Sequence, residues 1–142
     1  MTSKRDIVCS GGFFLAKDTK RFLFLLRNQG KTAGTWGLVG GKVENKETPA
    51  EALIREIQEE VGAVDYKKII PLELFTSEDQ HFFFNTYVIL VDNEFIPTLN
   101  EEHVGYAWCN YNQWPKPLHQ GVKRSLSNKT NKTKLELILD LI

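Results

Sequence analysis

No sign of charge dominates this chain of 142 residues: 18 Lys and Arg are matched by 18 Asp and Glu, and the formal net charge is zero. Nothing global therefore draws it to nucleic acid or to an anionic membrane. Cysteine is scarce. Cys9 and Cys109 lie far apart and form no CxxC pair, which favours two free thiols in a reducing cytosol over a disulfide. No apolar run approaches the roughly 18 residues of a membrane span. The basic residues Lys4 and Arg5 are followed by Asp6, Cys9, Ser10 and two glycines, so the start does not read as a signal peptide. A cytoplasmic protein is expected. The histidines His81, His103 and His119 share no spacing that suggests a metal site, and no Ser/His/Asp arrangement can be argued. A Walker loop is missing too: the "GGKV" glycines lack an upstream glycine at the needed spacing and a Ser or Thr after Lys42.

What is present is an ordinary globular composition, 42% hydrophobic and 25% charged. A chain of this length buries a real core as one domain, expected over residues 1–142. Two apolar runs, "DIVCSGGFFLA" and "FLFLLR", flank a polar "KDTK" and read as a hairpin. A glycine-rich loop leads to a short strand around Leu38 and Val39. Helical periodicity begins at Thr48-Pro49, with Glu51 placed to complete a capping box, and Gly62 ends it. Strands are expected at 67–77, 81–92 and in "VGYAWCN", followed by a segment near 118–128 and a C-terminal helix in "KTKLELILDLI". The polar "SNKTNKTK" reads as a turn between two helices. The order predicts an α/β (α+β) fold, a mixed sheet with helices packed on it.

Acid is unevenly placed in this neutral chain. Glu56, Glu59 and Glu60 crowd into five positions of the expected helix, where like charges three and four apart repel by a few tenths of a kcal/mol per pair. At roughly 100° per residue they span an arc of about 100°. Leu53, Ile54, Ile57 and Val61 fill a separate arc, the face that packs on the sheet. A stripe of hard oxygen ligands suits Mg²⁺ or Mn²⁺, which would relieve the repulsion. A merely solvated helix face is the plain alternative.

The surroundings narrow the choice. Gly41, Glu47, Arg55, Glu56, Glu59, Glu60 and Gly62 occupy seven fixed positions of G-x5-E-x7-R-E-U-x-E-E-x-G-U. At about 1 in 15 per residue, such a match arises by chance about once in 10⁸ starts. Ile57 fills the first aliphatic position, and Ala63 fills the last imperfectly. The segment resembles the box of the Nudix hydrolases, and "TWGLVGGKVE" resembles that family's Trp-x-x-Pro-Gly-Gly lead-in. Val39 stands where proline is usual, and Lys46 where glycine often precedes the first Glu.

The resemblance implies a Nudix-type mixed sheet sandwiched between helices, in a Mg²⁺-dependent enzyme (Mn²⁺ can substitute) hydrolysing a nucleoside diphosphate linked to another moiety. It implies metal ligation by the Gly40 carbonyl and by Glu56, Glu59 and Glu60, with Glu59 and Glu60 also catalytic. Arg55 and Glu47 match a pair that orients the loop against the helix, which makes Arg55 a catalytic residue and Glu47, with Gly41 and Gly62, structural support. Arg27 and Lys42 stand where the family often contacts phosphate. Trp36 is the expected aromatic substrate contact, with Phe82, Tyr106 and Trp114 as further stacking candidates. In some members the general base is a helix carboxylate; in others it is a glutamate from an outside loop, which here points to Glu102, with Glu101 its competitor. Substrates of such compact members include (oxidised) nucleoside triphosphates, sugar nucleotides and dinucleoside polyphosphates. A catalytically silent nucleotide-binding regulator is the alternative from another class, disfavoured by the intact carboxylates. An RNA 5′-end pyrophosphohydrolase finds no basic path in a neutral chain. The expected partner is a small-molecule nucleotide, with no membrane and no nucleic acid; homodimers are common in the family.

Overall fold

β1 (Ile7–Ala16) is the axis of the molecule. Its side chains alternate, so Phe13 and Leu15 point to one face of the sheet and Phe14 and Ala16 to the other, all fully buried. In the computed structural model, which describes residues 5–142, seven strands and three helices follow in chain order. Residues 1–4, including Lys4 of the basic start, lie outside the described residues.

β1 pairs in parallel with β6 (Phe82–Val91) along its whole length, and β5 (Lys68–Thr76) adds antiparallel to β6. The expected hairpin with β2 (Phe22–Arg27) closes only at its base, through the Leu15–Phe22 pair. Beyond it β2 takes other neighbours, β3 (Trp36–Gly37) and β7 (His103–Cys109). The first half of β1 pairs instead with β4 (Val39–Lys42), antiparallel. The mixed sheet thus divides into two arms, β4-β1-β6-β5 and β3-β2-β7.

Each face has its own core. On one, Leu53, Ile57 and Val61 of α1 (Pro49–Glu60) and its C-terminal end pack on Phe14, Leu23, Leu25 and Ile89. On the other, Val122 and Leu126 of α2 (Gln120–Ser127) and Leu135 of α3 (Lys129–Leu141) cover Phe13, Phe22, Phe24 and Val88. Burying each such Leu, Ile or Phe contributes about 1.5–3 kcal/mol. The sandwich of a mixed sheet between helices is the architecture expected from the order of elements.

α1 starts as its sequence dictates. Thr48 Oγ1 accepts from the Glu51 N–H at 3.1 Å, Glu51 Oε1 accepts from the Thr48 N–H at 2.9 Å, and Pro49 fills the first helical position. Gly62, at φ +92°, turns the chain away. One expectation fails: the polar "SNKTNKTK" is not a turn but mostly the first turns of α3. Asn128 alone separates α2 from α3, its Oδ1 accepting from the Asn131 N–H at 3.0 Å. Asn131 is buried and donates from Nδ2 to the Ser125 carbonyl, also at 3.0 Å. Capping and a buried amide override the low apolar content of the segment.

Candidate active site

The carboxylate stripe of α1 lies against the glycine strand. Gly40 N–H donates to Glu60 Oε1 at 3.0 Å. A Cβ at Gly41 would stand 2.5 Å from Glu56 Oε1 and displace that carboxylate. A Cβ at Gly40 would collide with the Ser10 carbonyl. Glycine at 40 lets β4 lie close against the backbone of β1, and glycine at 41 leaves the Glu56 carboxylate its place.

Arg55 is the hub of the charges. Its Nε donates to Glu47 Oε2 at 2.8 Å, and Nη2 reaches the Lys42 carbonyl at 3.0 Å. Nη1 lies 3.0 Å from Glu56 and 3.3 Å from Glu59. The hydrogen bond from Arg55 is the main reason that the Glu47 carboxyl lies below its usual range. Glu60 is different. It is only 3% exposed, and burial pushes its carboxyl up to about 9; the Gly40 amide opposes this, while Glu56 and Glu102 add to it. Among the described residues the carboxylates are not gathered into a finished metal cage. The guanidinium draws Glu56 and Glu59 to itself while Glu60 faces the Gly40 amide.

The donor set nevertheless fits a hard divalent cation. Three carboxylates, all oxygen donors, belong to one helix face against the Gly40-Gly41 backbone, and burial disfavours charge on Glu60 until a cation balances it.

The loop from 92 to 102 docks on the C-terminal end of α1. Thr98 N–H donates to the Val61 carbonyl at 2.9 Å, and Asn100 Nδ2 to the Glu59 carbonyl at 2.9 Å. Glu102 follows on this loop, half-buried, with its charge felt at Glu60; Glu101 is exposed. His103, next in the chain, is buried with neither ring nitrogen hydrogen-bonded, and burial lowers its pKa.

On the far side of the glycines lies a cavity of about 780 Å³, lined from both arms of the sheet. Gly40, Gly41 and Cys9 form the wall shared with the carboxylates. From one arm comes Arg27, whose Nε donates to Thr32 Oγ1 at 2.7 Å. From the other come Phe75, Phe82 and Phe84. Phe75 and Phe84 are directly paired across strands, and Phe82 lies edge-on to Phe75, with ring centres 6.3 Å apart. α2 closes the space with His119, its N-cap, and with Arg124, whose guanidinium sits 3.6 Å from the centre of the Phe75 ring.

The structure therefore brings together Gly40, Gly41, Glu47, Arg55, Glu56, Glu59, Glu60 and Glu102, and places Arg27 and Phe82 on the adjoining cavity. Others go elsewhere. Trp36 packs on the core beneath α2 rather than on the cavity, its backbone tied to Pro117 and His119. Trp114 packs against Phe22 and Phe24, and Tyr106 stands on the exposed side of β7. Lys42 is exposed and does not line the cavity, although its charge reaches Cys9. Sequence reasoning missed Phe75, Phe84, His119 and Arg124. The run Phe82-Phe83-Phe84, whose first and third rings share a face of the strand, was the available signal for the aromatic wall; nothing in the sequence marks His119 or Arg124.

Comparison with known proteins agrees with this geometry. The model of the NUDIX domain matches residues 9–129. An 8-oxo-dGTP diphosphatase from Proteus vulgaris is 28% identical over 112 residues, 77% of this chain and 99% of the relative. A crystal structure of a MutT NUDIX hydrolase from Burkholderia pseudomallei is similar with a TM-score of 0.75 and 26% identity, over 89% of this chain and 99% of that one. A C. elegans Ap4A hydrolase shares the fold at 21% identity, with a TM-score of 0.71 over 92% of this chain and 98% of that one. The chain belongs to the NUDIX family and is a Nudix hydrolase, an enzyme of phosphoric anhydride bonds.

Proposed function

We propose that this Nudix hydrolase is a divalent-cation-dependent diphosphatase of nucleoside triphosphates, with Mg²⁺ preferred and Mn²⁺ accepted. One observation carries the reading: the carboxylates of α1 share the Gly40-Gly41 wall with a cavity of nucleotide size whose far side is aromatic. Pockets of several hundred Å³ suit ligands of this class. The similarity to an 8-oxo-dGTP diphosphatase supports a purine nucleotide as the first substrate to try.

Glu56, Glu59, Glu60 and the Gly40 carbonyl would hold the cations. Bound there, these supply neutralisation of diphosphate charge and a water of lowered pKa. Arg27 pairs with the phosphate charge from the opposite arm, and the phenylalanines take the base against their rings. Glu102 takes the proton of the attacking water as oxygen joins phosphorus and the anhydride P–O bond breaks. Its half-buried place near Glu60 favours it over the exposed Glu101. Arg55 keeps Glu56 and Glu59 oriented through the same guanidinium that ties Glu47 and the Lys42 carbonyl.

The test is a nucleotide panel read as phosphate or pyrophosphate release. Turnover is expected with Mg²⁺ or Mn²⁺ and is lost on adding EDTA. Full turnover in metal-free buffer would overturn the cation requirement. Tight nucleotide binding without any turnover would leave a silent binding module instead.

A further inference from the structure

α1 ends with backbone carbonyls that have no partner inside the helix. Two of them are capped by the loop that carries Glu102. Thr98 N–H takes the Val61 carbonyl, and the Asn100 side chain takes the Glu59 carbonyl at 2.9 Å. The same Asn100 amide does a second job at its other end, where Oδ1 accepts from the Glu102 N–H at 3.0 Å. The Asn100 backbone carbonyl also accepts from the His103 N–H at 3.3 Å, and the Glu102 carbonyl is held by the Asn28 N–H at 2.8 Å. One planar side chain therefore spans the backbone of a carboxylate residue on the helix and the backbone of the acid on the loop.

We infer that Asn100 is a positioning residue that sets Glu102 against the carboxylate stripe of α1. The inference rests on the reading of Glu102 as the proton acceptor. Its physical basis is reach. A loop glutamate anchored only by its own segment would wander on the scale of ångströms, and a misplacement of about 1 Å can cost about 10²-fold in rate. The Asn28 N–H holds the Glu102 carbonyl to the end of β2, and the bridge adds the fix that sets the Glu102 amide against the helix that bears Glu59 and Glu60. A serine or alanine at 100 could not span both groups. An aspartate keeps an acceptor for Glu102 but turns an oxygen, not a donor, toward the Glu59 carbonyl.

A double-mutant cycle separates positioning from simple loop stability. Asn100→Ala is expected to lower kcat about 10- to 100-fold, as loss of an outer partner typically does, with KM within about threefold. In a Glu102→Gln background, itself slowed about 10²- to 10⁴-fold as a lost general base, the same substitution should change kcat by less than about threefold. Asn100→Asp, measured in both backgrounds, gives the same pattern and serves if the alanine variant does not fold. Equal fold-losses in the two backgrounds would overturn the inference, because Asn100 would then act on the fold and not through Glu102. Wild-type kcat in Asn100→Ala beside a slow Glu102→Gln would overturn it alone and leave the role of Glu102 intact. Wild-type kcat in Glu102→Gln would remove both, while the EDTA result would still stand on its own.

Discussion

The two sides of the Gly40-Gly41 wall are made of different materials. On the helix side, the charged groups of the stripe have named polar partners: Glu47, Glu56 and Glu59 on Arg55, Glu60 on the Gly40 amide. On the cavity side, three phenylalanine rings stand among aliphatic side chains, threonines and the two arginines, with Arg124 laid on Phe75 and Phe82 edge-on to Phe75. Directional bonds fix atoms to fractions of an ångström, which a displacement at phosphorus requires. Apolar walls fix shape and tolerate a family of ligands. The difference assigns the reaction to one side and the choice of substrate to the other, and that assignment can be broken.

The hardest blow falls on the helix side. Glu59→Gln and Glu60→Gln are each expected to lower kcat by more than about 10²-fold, above the usual cost of an outer partner, while the fold survives. At Glu60 the glutamine keeps an oxygen to accept from the Gly40 amide. At Glu59 the charge of an exposed pair with Arg55 is lost, worth little to stability. Circular dichroism and a thermal melt beside the kinetics decide the matter. If both variants unfold, the stripe is buried structure and the contrast between the two sides disappears.

How much of this was readable beforehand follows the same line. The helix side was legible because its chemistry demands fixed residue types at fixed spacing on one helix; Glu47, Arg55, Glu56, Glu59 and Glu60 meet in space as they stand in sequence. Glu102 could be suggested from its loop, but the Asn100 bridge that ties it to α1 spans 41 positions and has no spacing rule. The cavity side draws on β2, β5, β6 and α2. No local pattern joins Phe75 to Arg124, and Trp36, the most conspicuous aromatic of the lead-in, packs half-buried against the core. The polar run at 127–134 misled because its asparagines act as a cap and a buried bridge rather than as a solvated turn.

A gentler change on the cavity side sharpens the comparison. Phe82 lies between Phe75 and Phe84, with centre distances of 6.3 and 6.4 Å. Removing one stacking ring costs about 1–3 kcal/mol in comparable base contacts, and 1.4 kcal/mol is about tenfold in affinity. Phe82→Ala should therefore raise KM about tenfold with kcat nearly unchanged, the signature of lost uniform binding. Steady-state kinetics on the best nucleotide of the panel reads it. A fall in kcat with constant KM would place the aromatic wall in the chemistry and erase the division.

The smallest expected effect on activity comes from Asn131, which supports the cavity wall from behind. It is 2% exposed, and its Nδ2 holds the Ser125 carbonyl at the end of α2. Ser125 in turn donates from Oγ to Glu73 Oε1 at 2.8 Å, joining α2 to β5, the strand of Phe75. Asn131→Ala removes one of two donors from the Ser125 carbonyl, which keeps the Asn128 N–H at 3.3 Å, a loss of about 0.5–1.5 kcal/mol. At about 3 °C per kcal/mol for a chain of this size, Tm should fall by about 2–5 °C. Yet α2 also stands on Val122 and Leu126 in the core, so the wall keeps its place in the folded enzyme. KM should rise less than about threefold, and kcat should not change. A buried polar bond on this side then supports stability alone, whereas Asn100, an amide of the same kind on the helix side, governs rate. Should Asn131→Ala lower kcat as Asn100→Ala is expected to, the two sides are mechanically coupled through the sheet, and the glycine wall is no boundary between reaction and recognition.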